Sequence, residues 1–325
     1  MQCDIPNLSI FRILLLLKKL VLKYFTNNCN FERKFVRKYN QKELIMILLV
    51  DSGSSKADWV EIMPDGHTNM YTTQGINPST QDQLPDISKE QTIISIIIKA
   101  DKIYFYAAGV IHDESRNRII RWLQTFGAQG EIFVESDMVA AARACCGNNW
   151  GIVSILGTGS NSCVFDGNSI VDNIPSLGYI LGDEGSGSHI GKEILRSYFC
   201  RKMPKQVADS FESNFQITRL EVIEQVYRKN KGSGYIASFA KWLEQADESW
   251  KKEVLNHVFS QFILYRLSPL SNQYKALPVH FVGSIAYNYK SYLTESLKDF
   301  GIFADKIIQK PIFALIDFHF KQNYQ

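Results

Sequence analysis

From residue 45 onward two hydrophobic rhythms take turns along the chain. Ile45–Val50 is an unbroken apolar run, the pattern of a short strand covered on both faces. Ala57–Ile62 alternates, Pro64-Asp-Gly66 supplies a turn, and Thr68–Thr73 reads as the strand that completes a hairpin. Lys102–Ala107 and Glu131–Glu135 are two further strands. Between them, Asp113–Phe126 has helical spacing, with Ile119, Ile120, Trp122 and Leu123 as its core face. Ser136 stands where an N-cap belongs and Gly147 where a helix stops, which predicts a helix between them. Gly151–Phe165 returns to strands, broken by a glycine turn. Beyond Ser188 apolar residues recur every three and four positions over 189–201, 219–229, 235–246 and 250–267. Pro278–Val282 is the last strand expected, and it runs through Gly283 into another helical segment. Strand-rich triplets at 46–74 and 151–171 point to two similar halves and an α/β fold.

Composition narrows the class. A length of 325 residues favours two domains, and 45% hydrophobic with 21% charged side chains excludes a disordered or collagen-like chain. No stretch approaches the roughly 18 uncharged apolar residues of a membrane span. The six cysteines form no CxxC pair and the six histidines no HExxH, so a zinc ribbon or metalloprotease spacing is absent. Charge is uneven. Residues 1–44 hold nine lysines and arginines against three acids, whereas the rest is slightly acidic, which argues against nucleic-acid binding. The run Phe11–Phe25 is too short and charged to span a bilayer and lacks a signal-peptide cleavage site. It reads as an amphipathic surface helix or, preferred here, as part of a basic, disordered or artefactual extension ahead of Met46. The expected compartment is the cytoplasm.

Chemistry concentrates in four glycine turns that follow apolar strands. Asp51-Ser-Gly53-Ser54-Ser55-Lys56 and Leu156-Gly157-Thr158-Gly159-Ser-Asn161 each offer successive backbone N–H groups and hydroxyls, a natural anion cradle. The second is neither a Rossmann fingerprint nor a Walker loop, because no helix follows it and no Gly-Lys-Ser/Thr occurs. Two such hairpins facing across a cleft would grip one polyphosphate. Asp51, at a strand end, suits a hydrated Mg²⁺. In the loop Gly178–His189, the three glycines of Gly182–Gly187 surround Asp183 and Glu184, and Gly283-Ser284 joins a strand to a helix. Asp137 opens a helix after a buried strand, where a carboxylate can orient a hydroxyl and take its proton. Asn77, in Gly75-Ile-Asn-Pro78, can bond a sugar hydroxyl. Each has a plain alternative: a hairpin turn, a helix cap, an Asx turn before proline. Cys145 and Cys146 read as buried apolar fillers, and His189 as merely near the loop.

Taken in order, Asp51-Ser-Gly-Ser-Ser-Lys, Gly75-Ile-Asn-Pro, Ser136-Asp137, Leu156-Gly-Thr-Gly-Ser-Asn161, Leu181-Gly-Asp-Glu-Gly-Ser186 and Val282-Gly-Ser-Ile-Ala286 resemble the N-acetylglucosamine kinase family of BadF/BadG/BcrA/BcrD-type ATPases, in the actin/hexokinase superfamily. The resemblance covers about 45–320. It implies two RNase H-like domains, 45–147 with 311–325 and 148–310, and an interdomain nucleotide cleft for ATP. By position it implies phosphate contacts at Gly53, Ser54, Ser55, Gly157, Thr158 and Gly159, and an adenosine-side contact at Gly283 and Ser284. It implies a catalytic base at Asp137, sugar contacts at Asn77, Gly178 and Asp183, and water-mediated Mg²⁺ at Asp51. Departures are Ser55 and Ala57 where the family has threonine, and Tyr179 where vertebrate members have tryptophan.

The expected activity is ATP-dependent phosphorylation of a small-molecule amino sugar such as N-acetylglucosamine, at the C6 hydroxyl. A homodimer is left open, and neither nucleic acid nor a membrane is an expected partner. Two alternatives stand beside it. An ATPase activator of 2-hydroxyacyl-CoA dehydratases would need cysteines placed to hold an iron–sulfur cluster, a spacing this chain lacks. A non-catalytic sugar-binding regulator would have no need of both Asp51 and Asp137.

Overall fold

The computed structural model describes residues 45–53, 56–228 and 232–324. The basic extension and its helix expectation lie outside the described residues.

The first sheet begins with β1 (Ile47–Ser52), β2 (Lys56–Ile62) and β3 (Thr68–Gln74), an antiparallel meander. α1 (Gln91–Lys99), β4 (Lys102–Ala107), α2 (Asp113–Thr125) and β5 (Glu131–Ser136) follow, and β4 and β5 add in parallel beside β1. The order is β3-β2-β1-β4-β5. β1 lies at the centre and is apolar throughout because both of its faces are covered. α3 (Asp137–Cys146) leaves β5, capped by the Ser136 hydroxyl, which accepts from the Val139 N–H. Gly147 ends it with φ of 60°.

The second half repeats the plan. β6 (Gly151–Leu156), β7 (Ser160–Phe165) and β8 (Ile170–Ile174) form the meander. Helices then intervene: α4 (Gly178–Leu181), α5 (Gly187–Phe199), α6 (Lys205–Phe215), α7 (Arg219–Tyr227), α8 (Gly232–Ser238), α9 (Glu248–Phe262) and α10 (Ser268–Gln273). β9 (Val279–Val282), α11 (Ser284–Asn288), α12 (Lys290–Asp299) and β10 (Ala304–Ile308) complete the sheet, followed by α13 (Ile312–Tyr324). The order β10-β9-β6-β7-β8 is the first sheet's order again, with β6 in the place of β1. The two similar halves read from the strand triplets are therefore one topology used twice.

Some expected elements shift. Val279–Val282 is not the last strand, because β10 pairs with β9. Ala304-Asp-Lys-Ile-Ile carries too little apolar alternation to announce a strand, and its pairing partner makes it one. The helix expected over 235–246 divides into α8 and a 3₁₀ turn at Phe239–Gln245, and the one over 250–267 passes into a π turn at Ile263–Leu267.

The two halves exchange their last helices. α3 packs on β6 and β7 of the second sheet, through Met138, Ala141, Ala142 and Cys145 against Val153, Cys163 and Phe165. α13 packs on β1 and β2 of the first, through Ile312 and Leu315 against Ile47, Leu49, Val60 and Ile62. The small residues of α3 let it lie against both sheets. A buried chain links the pieces: Arg143 on α3 donates to the Tyr106 hydroxyl at 2.9 Å, and that hydroxyl meets Nε2 of His319 on α13 at 2.8 Å. Cys145, Cys146 and Cys163 are buried in this seam, and burial pushes the Cys145 and Cys163 thiols up to about 12, so they are neutral packing groups.

Candidate functional site

Register places the first half of the site. Ser52 pairs with Ala107 and Ala107 with Ser136, so β1, β4 and β5 end side by side at their carboxyl ends. That is where open α/β sheets bind ligands. Asp51, the turn after β4 and Asp137 all lie on this edge. The Ser52 hydroxyl holds the Asn77 turn to it, donating to the Ile76 carbonyl at 3.0 Å and accepting from the Ile76 N–H at 2.8 Å. Asn77 is buried, and its Oδ1 accepts from the Ser79 N–H at 3.0 Å, the Asx turn expected before proline. Gly109 must lack a side chain, since a Cβ there would stand 2.1 Å from Asn77 Oδ1.

Three carboxylates share the edge. Asp51 and Asp58 are cross-strand partners in the first hairpin, and Asp51 also feels the charge of Asp137. Burial, then Asp137 and Asp58, push the Asp51 carboxyl up to about 7. Burial also raises Asp137, opposed by the N–H groups at its helix start. Asp58 is held below the usual range despite burial, because Lys310 and Lys56 each sit 2.8 Å from it. Gly53 is exposed and its N–H donates to the Lys56 carbonyl at 2.9 Å, closing the hairpin. Ser54 and Ser55 lie outside the described residues.

The second sheet presents the equivalent edge. Ile155 pairs with Val282 and Val282 with Ile308, so β6, β9 and β10 end together. Gly157, Gly283 and the Lys310 segment follow those ends. Gly283 has φ of 121° and its N–H donates to the Ile308 carbonyl at 3.0 Å. A Cβ on it would sit 2.3 Å from the Leu156 carbonyl oxygen. The Gly157–Gly159 turn bonds to the start of α5, with Gly187 N–H to Gly157 O at 2.8 Å and Ser188 N–H to Thr158 O at 3.0 Å. Thr158 and Ser284 are exposed, and a Cβ on Gly157 would meet nothing within 4 Å.

The loop between α4 and α5 lies against the same turn. Asp183 is buried with φ of 58°, and its Oδ1 accepts from the Ser160 N–H at 3.2 Å and the Ser176 hydroxyl at 2.8 Å. A Cβ at Gly159 would lie 2.9 Å from Asp183 Oδ2. Arg266, on the π turn, anchors the loop through Glu184 and the Pro175 carbonyl, both at 2.6 Å. Gly178 is exposed with φ of 72°. Tyr179 packs on the second core, with its hydroxyl against Gly232.

The structure thus gathers Asp51, Asn77 and Asp137 on one edge, and Gly157, Thr158, Gly159, Asp183, Gly283 and Ser284 on the other. Gly178 is exposed and joined to Asp183 through the Ser176 hydroxyl, which accepts from the Gly178 N–H at 3.2 Å and donates to Asp183 Oδ1 at 2.8 Å. Lys310 connects the two edges, since it follows β10 of the second sheet and pairs with Asp58 of the first. Sequence reasoning missed Asp58, Lys310 and Arg266. Their value comes from pairing across 252 and 82 positions, which no local pattern announces.

No family model matches the chain. Among solved structures, a candidate N-acetylglucosamine kinase from Porphyromonas gingivalis is 33% identical with a TM-score of 0.74, over 85% of this chain and 99% of that one. The chain belongs to the N-acetylglucosamine kinase family. Members of this kinase family are ATP-dependent phosphotransferases with an alcohol group as acceptor. A curated relative, the N-acetylmuramic acid/N-acetylglucosamine kinase of Clostridium acetobutylicum, is 23% identical over 275 residues, 78% of this chain and 89% of the relative. A candidate N-acetylglucosamine kinase from Chromobacterium violaceum, 14% identical, shares the kinase fold with a TM-score of 0.63 over 85% of this chain and 99% of that one. Among the described residues no helix is long and apolar enough to cross a membrane.

The raised Asp51 carboxyl gives a measurable pH dependence. The folded chain keeps that proton to about pH 7, whereas an unfolded chain releases it near pH 4. Stability from this group is therefore full below pH 4 and is lost as pH rises to 7. Asp51→Asn removes the loss. In nucleotide-free protein its stability gain over the parent should grow by roughly 2–3 kcal/mol between pH 5 and pH 8, read from chemical denaturation. A gain that does not vary with pH would mean that Asp51 titrates normally.

Proposed function

We propose that this chain is a sugar kinase that transfers the γ-phosphoryl group of ATP to the C6 hydroxyl of N-acetylglucosamine. The observation that carries the proposal is Asp137 at the carboxyl edge of β5, electrostatically coupled to Asp51 and beside the tethered Asn77 turn. Asp137 accepts the C6 hydroxyl proton as the oxygen attacks. Its raised affinity for a proton makes it a better acceptor than an exposed aspartate. Asn77, Gly178 and Asp183 bind the sugar. Asp183 is preset by Ser160 and Ser176, which both bond its Oδ1.

The hairpins at Gly53-Ser54-Ser55 and Gly157-Thr158-Gly159 hold the phosphates through backbone N–H groups and hydroxyls. Gly283 and Ser284 take the adenosine side, where the forced proximity of Gly283 to Leu156 leaves bare backbone. The donor set fits a hydrated Mg²⁺: Asp51 is a carboxylate raised by burial and then by the neighbouring Asp137 and Asp58, a place where added positive charge is favoured. Asp51 would hold the ion through water, and when bound it supplies charge neutralisation to the transferring phosphoryl group.

The test is a coupled ADP-release assay with MgATP over N-acetylglucosamine, glucosamine, N-acetylmuramic acid and N-acetylmannosamine, with the phosphorylated carbon assigned by NMR. The expected outcome is the highest kcat/KM on N-acetylglucosamine and a 6-phosphate product. Preference for another sugar would move the substrate assignment, and ADP release independent of sugar would remove the kinase reading.

A further inference from the structure

Two helices packed behind the glycine loop bring together three side chains that the proposed kinase chemistry does not use. His189 and Glu193 stand four residues apart on α5, on one helical face, and His257 faces them from α9. One ring nitrogen of each histidine and one oxygen of Glu193 all lie within 4.8 Å of one another. A tetrahedral ion with bonds of ~2.0–2.1 Å separates its ligands by about 3.4 Å, so modest side-chain rotations close the set. We propose that His189, Glu193 and His257 form a binding site for a transition-metal dication of the Zn²⁺ type, and that its occupation releases the Asp183–Gly185 loop.

The donor chemistry selects the ion. Two imidazoles and one carboxylate suit Zn²⁺ and its neighbours in the first transition row, whereas Mg²⁺ and Ca²⁺ prefer oxygen alone. The Lys192 ammonium does not occupy the cluster, because it donates to the Tyr179 carbonyl at 2.8 Å. Glu193 Oε1 pairs with the largely exposed Arg196 at 2.9 Å, which leaves Glu193 Oε2 outside that pair.

The coupling to the loop follows from proton placement. Gly185 donates its N–H to Nδ1 of His189 at 3.2 Å, so Nδ1 carries the lone pair and Nε2 the proton. A metal bound at Nδ1 takes that lone pair directly. A metal bound at Nε2 sends the proton to Nδ1, which then cannot accept. Either way the Gly185 N–H loses its acceptor. Gly185 has φ of 80° and a Cβ on it would meet Phe262 at 2.7 Å, so the loop is held in a tight, specific path beside Asp183.

The experiment uses the full chain without nucleotide, titrated with Zn²⁺ by calorimetry. His257 is exposed, so His257→Ala should fold normally. Wild type should bind one Zn²⁺ with a Kd in the micromolar range or tighter, and His257→Ala and Glu193→Gln should each weaken that event at least about tenfold. Co²⁺ should give a visible absorption band in wild type that His257→Ala abolishes. Hydrogen exchange at the Gly185 amide should quicken with Zn²⁺ in wild type and stay constant in His257→Ala. Equal Zn²⁺ affinity in wild type and His257→Ala overturns the site. His257-dependent binding with an unchanged Gly185 amide overturns the coupling. None of the three readouts involves phosphoryl transfer, so this proposal and the kinase reading fail independently.

Discussion

Asp137→Asn is expected to lower kcat for sugar phosphorylation by about 10²- to 10⁴-fold, while ATP affinity stays close to that of the parent. The asparagine keeps the size and the helix-start position of the aspartate but cannot accept the hydroxyl proton. A loss of this kind could also come from a damaged fold, and the electrostatics separate the two. Burial raises the Asp137 carboxyl, so ionising it costs the folded state more than the unfolded one. Asparagine carries no such cost. The variant should therefore unfold at a temperature equal to or above that of the parent at pH 8. A dead and less stable protein would point to a structural role for Asp137, and an active one would remove it from the chemistry. Ionisation of the same carboxyl predicts that parental kcat climbs with pH on the acidic side and that the climb disappears in Asp137→Asn.

Gly283→Ala should be the most damaging single methyl group in the second half. The residue sits at φ of 121°, a conformation that L side chains rarely adopt, and its Cβ would lie 2.3 Å from the Leu156 carbonyl oxygen. That atom is backbone at the end of central strand β6 and cannot rotate away. The strain should cost about 3 kcal/mol or more and displace the turns at Gly157 and Gly283 together. Thermal unfolding should show a drop of many degrees, and ATP binding by calorimetry should weaken with it. Gly301→Ala is the internal control: φ is 70° there, but no atom lies within 4 Å of the added carbon. Its cost should stay near 1–2 kcal/mol, the backbone penalty alone. Equal effects of the two substitutions would show that the contact with Leu156 does not matter.

The fold was legible where burial leaves a strong local imprint. Ile47–Val50 and Lys102–Ala107 are central parallel strands, apolar because both faces are covered, and their sequences announce it. The caps of α3 were readable too, since Ser136 and Gly147 satisfy local backbone demands. Edge strands left a weaker signal. β10 is Ala304-Asp-Lys-Ile-Ile, which reads as a strand only once β9 lies beside it.

The site divided along the same line. Asp51, Asn77, Asp137 and the glycine turns stood out because each sits in a short segment whose composition alone is unusual. What held them together did not. Asp58 is an ordinary acid in an alternating strand until Lys310 reaches it from the far end of the chain. His189 shows no metal spacing until α9 carries His257 to its face. The sequence by itself determined a duplicated α/β plan, the polar turns at its strand ends and the family to which these belong. Only the tertiary structure decided which charges meet, that α3 and α13 change places between the sheets, and that Asp51 is driven to hold its proton. The reason is physical: backbone conformation and burial are written within a few residues, whereas electrostatic coupling depends on distances that exist only after the chain has closed on itself.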